Sequence, residues 1–292
     1  MSDQDAGYFV PPASGYPDAA ARPDPAFPYL FTSQAEIPLV GLGGGVTFRP
    51  VFGRRVLFNY VYFDPNSVAP MHQHPEEQIG TMLEGEYEFE MDGQTRVIRP
   101  GDAYLVPPNV PHAARTGSKG CLALDIFSPP RAGFREMMDR VTATQTAPAR
   151  GYPDATAPQD PHYFAPPTVT PSDPSFHPLF TSLAEIPYVP MTEGLRFRPL
   201  FGRNLLLNWV SFDEGSVAPV HAHSEEQLGT VISGAMEFEI AGERRVLRPG
   251  NVYVAPPYVP HGARAHGGPC LALDIFSPPR AGIKMLMERA AR

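Results

Sequence analysis

Hydrophobic and polar positions follow each other along most of this chain in the short rhythm of β-strands. Val56 to Phe63 is a continuous apolar, β-branched and aromatic run of the kind that fills a buried strand. Tyr87-Glu88-Phe89-Glu90-Met91 alternates with period two and runs into Asp92-Gly93, a favoured hairpin turn. Arg96 to Arg99 leads through Pro100-Gly101 to a strand over Ala103 to Val106, and Leu122 to Phe127 is another. Only Phe134 to Val141 and Ile283 to Ala291, rich in Met, Arg and Glu, read as helices. Short strands with a turn signal roughly every 8–12 residues predict an all-β sandwich or barrel.

This pattern is written twice. Phe31 to Phe134 aligns without a gap to Phe180 to Ile283, and 62 of the 104 positions are identical. Solenoid repeats recur every 20–50 residues or so, which leaves domain duplication. The expected organisation is an N-terminal arm over 1–30, a first domain over 31–141, a linker over 142–179 and a second domain over 180–292. Many of the 37 prolines fall in 11–28 and 144–178, beside Asp, Ala and Ser, so these stretches read as extended arms. Tyr8-Phe9 and Tyr163-Phe164, each followed by a Pro-Pro, repeat the pattern ahead of each domain, as arms that pack on a barrel would.

Composition narrows the class. With 42% hydrophobic and 18% charged residues the chain has apolar material for two cores. A net charge of −8 argues against nucleic acid as a partner. No run approaches the roughly 18 apolar residues of a membrane span, and Met1 to Asp5 shows no secretory pattern, so the expectation is a cytoplasmic protein. Cys121 and Cys270 occupy equivalent positions beside Leu-Ala-Leu. They read as small buried hydrophobes.

The histidines carry the chemistry. His72, His74, Gln78 and His112 reappear as His221, His223, Gln227 and His261. On a strand, i and i+2 share a face, so each H-x-H presents two imidazoles together. Pro75 forces a turn that brings Gln78 back beside them, and His112 arrives after Pro107-Pro108-Asn109-Val110-Pro111. Three imidazoles and an amide oxygen suit a divalent transition metal with one or two positions open. Up to two ions per chain are expected, with Fe, Zn, Mn, Ni, Co and Cu not distinguished.

These residues resemble the two motifs of the cupin superfamily. Gly215, His221, His223, Gln227 and Gly234 match the first motif, as do Asn66, His72, His74, Gln78 and Gly85 with Asn in place of the leading glycine. Gly101, Pro107 and His112, and Gly250, Pro256 and His261, match the second, with Asn109 or Tyr258 for its inner glycine. The resemblance implies two tandem jelly-roll barrels, a bicupin with short C-terminal helices. H-x-H-x3-Q-[IL]-G-T and P-P-x-V-P-H-[AG]-A-R look most like the bicupin isomerases of bacilysin biosynthesis. A further relative by motif is the single-cupin group that opens unsaturated uronates.

Gln78 and Gln227 stand where the superfamily usually has Glu, which leaves the charge of a divalent ion uncompensated. That favours binding a carboxylate or enolate and tilts toward Lewis-acid chemistry. The reading is a metal-dependent enzyme acting on a small, anionic keto or hydroxy acid by isomerisation, enolisation or cyclisation. The alternatives are a non-heme iron dioxygenase and a non-catalytic ligand-binding bicupin. A monomer holding both barrels and a homodimer are both compatible.

Remaining polar residues follow from position. Tyr104 and Tyr253 are candidate proton relays, and Asn59 and Asn208, polar within apolar strands, are candidate substrate contacts. Arg115 and Arg264 read as ion-pair partners of Asp125 and Asp274, and Glu76 and Glu77 as solvated loop charges.

Overall fold

The structure is a computed structural model that describes residues 30–144, 173 and 175–290. The Tyr8-Phe9 and Tyr163-Phe164 motifs lie outside the described residues. The first repeat supplies β1 (Phe31–Ser33), β2 (Val40–Gly43), β3 (Val46–Phe52), β4 (Leu57–Phe63), β5 (Val68–His72), β6 (Glu77–Glu84), β7 (Tyr87–Met91), β8 (Gln94–Ile98), β9 (Asp102–Val106), β10 (His112–Arg115) and β11 (Cys121–Ser128), then α1 (Ala132–Thr144). The second repeat follows the same course. It has β12 (Leu179–Ser182), β13 (Val189–Thr192), β14 (Leu195–Phe201), β15 (Leu206–Phe212), β16 (Val217–His221), β17 (Glu226–Ser233), β18 (Met236–Ile240), β19 (Glu243–Leu247), β20 (Asn251–Ala255), β21 (His261–Ala265), β22 (Cys270–Ser277) and α2 (Ala281–Ala290). The expected strands and both helices are present. No helix among the described residues is long and apolar enough to cross a membrane.

Each repeat builds one barrel from a seven-stranded and a four-stranded antiparallel sheet. In the first these are β12-β9-β6-β11-β4-β3-β2 and β5-β10-β7-β8. In the second they are β1-β20-β17-β22-β15-β14-β13 and β16-β21-β18-β19. The period-two pattern works as read: Tyr87, Phe89 and Met91 point into the first core while Glu88 is exposed. Leu57, Val61 and Phe63 of β4 meet them from the opposite sheet.

The edges are completed across the repeats. β1 precedes the first repeat's barrel strands yet pairs with β20, Phe31 opposite Tyr253. β12 pairs with β9, Phe180 opposite Tyr104. An edge left bare would expose a row of unpaired N–H and C=O groups, and these short strands cover it. The described part of Met1–Ala35 and Gly53–Val56 accordingly belongs to one compact unit with the residues from Ile186 onward, and Leu179–Ser182 belongs to the unit of the first barrel.

Gly53–Val56, the turn between β3 and β4, is fastened by one buried side chain. The Glu226 carboxylate accepts hydrogen bonds from the backbone N–H groups of Arg54 at 2.9 Å, Arg55 at 3.1 Å and Val56 at 3.1 Å. A Cβ at Gly53 would overlap Glu226 Oε1, so the turn needs glycine. Glu226 and its counterpart Glu77 are both buried. Glu77, the first residue of β6, is therefore not a solvated charge: a carboxylate is taken out of water at high cost unless it is partnered.

Candidate metal centres

Loop geometry sets the imidazoles. His72 is the last residue of β5, and His74 lies beyond the strand end in the loop to β6, so the pair is not held by strand alternation alone. Asn66 has the positive φ, 58°, that Gly215 adopts at 79° in the second repeat, so the Asn substitution keeps the turn before β5. His112 opens β10 directly opposite His72. The loop that delivers it is tied to the H-x-H segment, because the Asn109 N–H donates to the His74 carbonyl at 2.8 Å. Tyr258 and His223 repeat this at 2.7 Å.

Each ring is oriented through its Nδ1. His72 Nδ1 faces the Pro70 carbonyl at 2.8 Å, His74 Nδ1 the Glu76 carbonyl at 3.0 Å and His112 Nδ1 the Val110 carbonyl at 2.8 Å. His221, His223 and His261 do the same with Pro219, Glu225 and Val259. A carbonyl only accepts, so each Nδ1 carries the proton and each Nε2 offers a lone pair. The three imidazoles in each repeat bring one ligating atom apiece to within 4.8 Å of one another.

The amide completes the set. Gln78 Nε2 donates to Asp125 Oδ1 at 2.7 Å, which turns Gln78 Oε1 toward His74 Nε2 at 3.1 Å. In the second repeat Gln227 Oε1 lies 3.1 Å from His223 Nε2 and 3.0 Å from His261 Nε2, and those two nitrogens are 3.1 Å apart. With the protons on Nδ1, these are acceptors facing acceptors, an arrangement that a cation resolves. Burial pushes the imidazole pKa values down, to about 4 at His112 and about 3 at His221, so the rings are neutral at pH 7 and ready to ligate. The residues fit a divalent metal.

A tyrosine–aspartate pair sits behind each amide. The fully buried Tyr104 donates its hydroxyl to Asp125 Oδ1, and Tyr253 donates to Asp274. Gly80 makes this possible, since a Cβ there would occupy the Tyr104 ring. Burial pushes Asp125 and Asp274 up to about 6, and burial followed by the charge of the neighbouring Asp raises each tyrosine well above its ordinary value. At pH 7 the proton therefore rests on the phenol. Tyr104 and Gln78 line a cavity with His72 and His112, and Tyr253 and Gln227 line another with His221 and His261.

Other expectations fare differently. Asn59 and Asn208 are fully buried, opposite Asp125 and Asp274 in the sheet, and stand outside the residues lining the two cavities. Arg115 and Arg264 do form ion pairs, but with Glu88 at 3.1 Å and Glu237 at 2.6 Å on the exposed face. Asp125 and Asp274 point inward, so the expected pairing fails. Glu76 is likewise not a solvated charge. Its carboxylate lies 3.5 Å from His74 Nδ1 and 3.6 Å from Arg131 Nε, and Glu225 repeats this with His223 at 3.4 Å and Arg280 at 3.8 Å. Arg131 and Arg280 are buried and lie over Phe127 and Phe276. Sequence reading missed them, although the unbroken identity of Cys121–Gly133 with Cys270–Gly282 contains both.

Residues 59–127 and 208–276 both match the family model for the cupin domain. Over 234 residues, 77% of this chain and 79% of the relative, the sequence is 27% identical to the H2HPP isomerase of Bacillus subtilis. A stretch of 101 residues, 34% of this chain and 92% of the relative, is 29% identical to the pectin degradation protein KdgF of Dickeya dadantii. The fold is similar to the oxalate decarboxylase of Lactobacillus farciminis in its formate complex, with a TM-score of 0.62 at 16% identity over 86% of this chain and 87% of that one. It is similar to AerE from Microcystis aeruginosa, with a TM-score of 0.59 at 18% identity over 82% of this chain and 96% of that one. The two matched segments contain every histidine of the two clusters, so the chain carries two cupin domains in tandem.

Proposed function

We propose that this bicupin is a metal-dependent enzyme that moves a proton within a small keto or hydroxy acid, by isomerisation, enolisation or cyclisation. The observation that carries this reading is the neutral donor set, three imidazoles and an amide oxygen, with a Tyr–Asp pair lining the same cavity. His72, His74, Gln78 and His112 would hold one ion, and His221, His223, Gln227 and His261 a second. A divalent ion bound there supplies Lewis acidity to a carbonyl or carboxylate oxygen and stabilises negative charge developing on the substrate.

The chain's own residues do the rest. Apolar walls, Phe63 and Phe89 in the first cavity and Phe212 and Phe238 in the second, keep water from competing for the substrate. Tyr104 and Tyr253 line these cavities with a phenol proton each, and Asp125 and Asp274 accept the hydrogen bond of each hydroxyl. The 27% identical relative is an isomerase, which supports the same reading.

The test uses the metal-loaded protein and a panel of 2-oxo acids in D2O. Deuterium should enter the substrate beside its carbonyl, at the same rate with and without oxygen. Stoichiometric oxygen uptake, with labelled oxygen in the product, would overturn this reading and promote the dioxygenase.

A further inference from the structure

Each barrel encloses one amide that nothing in the protein satisfies. Asn59 and Asn208 are fully buried, and neither the nitrogen nor the oxygen of either side chain has a hydrogen-bond partner among the described residues. Buried amides in native proteins are nearly always satisfied, by protein or by ordered water. The two residues occupy the same position in the two repeats, so the orphan is a feature of the fold.

Their surroundings name a partner. Asn59 shares the inner face of β4 with Leu57, Val61 and Phe63, since residues two apart on a strand point the same way. Pro50 of β3 lies opposite it on one side and Asp125 of β11 on the other. The next inward residues on those two strands are Phe48, Phe52, Ala123 and Phe127, all apolar. Asp125 is therefore the one polar side chain in the ring around Asn59. Asn208 lies between Pro199 and Asp274 in the same apolar setting.

Directly opposed side chains in a sheet have Cβ atoms about 5 Å apart, so polar ends standing side by side are separated by a span that one water bridges. Both asparagines stand outside the residues lining the cavities, which restricts the partner to something small. Asp125 is equipped to share it. The bonds from Gln78 and Tyr104 both fall on Oδ1, and Oδ2 has acceptor sites of its own.

We propose that Asn59 and Asn208 are positioning residues that each hold a buried water against the neighbouring carboxylate. The water accepts from the asparagine Nδ2 and donates to Asp125 or Asp274, as internal waters do between polar groups that cannot reach each other. Asp125 is then gripped from both sides, and it in turn fixes the Gln78 amide whose oxygen faces the imidazoles. Asn59 acts in this way on metal binding at the first centre, and Asn208 at the second, without touching either ion. That last step rests on the metal reading of the two clusters.

The experiment has two arms, both on the full-length chain. A metal-free crystal structure that shows ordered water should place one water within hydrogen-bonding distance of Asn59 Nδ2 and Asp125, and another between Asn208 and Asp274. Dry amides, or an amide bonded directly to its aspartate, would overturn the proposal. The second arm titrates Co(II) against a competing chelator, with H221A/H223A isolating the first site and H72A/H74A the second. N59L, which cannot hold the water, should weaken the first site about tenfold and leave the second unchanged. N208L should do the reverse. N59S, with a hydroxyl and space for the water, should keep both the water and the affinity, and it decides the matter with the crystal structure should N59L fold poorly. A lower melting temperature in N59L with unchanged Co(II) affinity would make the asparagine merely structural and overturn its positioning role. If the parent chain binds no Co(II) at either site, the metal reading fails, while the crystal structure still decides the water.

Discussion

Gln78 Nε2 donates to Asp125 Oδ1 at 2.7 Å, and this bond decides which end of the amide faces the imidazoles. It also explains how a neutral side chain serves where the superfamily usually has a carboxylate: the negative charge is present, one bond farther out. Replacing Gln78 and Gln227 together by Glu should preserve or tighten metal binding, since an anion joins the donor set. Turnover should fall at least tenfold, because less positive charge remains to stabilise an anionic transition state. A titration against a competing chelator and a steady-state assay check the two halves. Unchanged turnover would sink the electrostatic argument.

Metal content is the plainest prediction. Elemental analysis of the purified chain should find up to two transition-metal ions, and the variant combining His72→Ala with His74→Ala should keep one. Retention of both ions would show that the histidine clusters are not the sites.

Glu76 and Glu225 should act on the metal through an imidazole. Each carboxylate lies 3.4–3.5 Å from the Nδ1 of a cluster histidine and faces a buried arginine. Glu76→Gln with Glu225→Gln should weaken metal affinity about tenfold. The melting temperature of the metal-free protein should stay within a degree or two. A matching loss of stability in the metal-free protein would make these residues merely structural.

The Glu226 carboxylate, at the first residue of β17, should matter to stability far more than one strand-end side chain usually does. Glu226→Ala leaves three backbone N–H groups without their acceptor and should cost about 3 kcal/mol. Gly53→Ala, which drives a methyl group into the same carboxylate, should lower the melting temperature as well. Thermal unfolding of both variants checks this, and an unchanged midpoint for Glu226→Ala would remove the strut from the account.

Burial pushes the thiols of Cys121 and Cys270 up to about 12 and 11. The reactive thiolate is scarce at any pH well below those values, and both groups are buried and free of a disulfide. Alkylation at pH 8 should run at least a hundredfold slower than for a free cysteine and accelerate on unfolding, as intact-mass measurement will read. Rapid labelling of the native protein would contradict the assigned burial.

Periodicity made the strands legible because it reports one residue's face at a time, and β7 shows it without ambiguity. The duplication made the histidine clusters legible, since a second copy at the same spacing turns a short motif into a pattern. What periodicity cannot report is which distant group a buried charge meets. Glu77 reads as a loop charge because nothing near it in sequence is a donor, and the partners of its counterpart Glu226 lie some 170 residues away in the β3–β4 turn. Arg115 was assigned to Asp125 for want of that same information. Alternation places Asp125 inward and Arg115 outward, and Glu88, on the paired strand, was the nearer choice.

The crossing of β1 and β12 has a consequence for any attempt to divide the chain. A polypeptide stopping at residue 150 would keep the metal ligands of its barrel and lose Leu179–Ser182, leaving the outer edge of β9 bare. One starting at 180 would lose Phe31–Ser33 and bare the edge of β20. Neither half is a self-sufficient unit. Each would be a sticky-edged fragment, prone to recruit a strand from whatever chain is at hand, whereas a whole chain nicked between 145 and 172 would still have both borrowed strands in place.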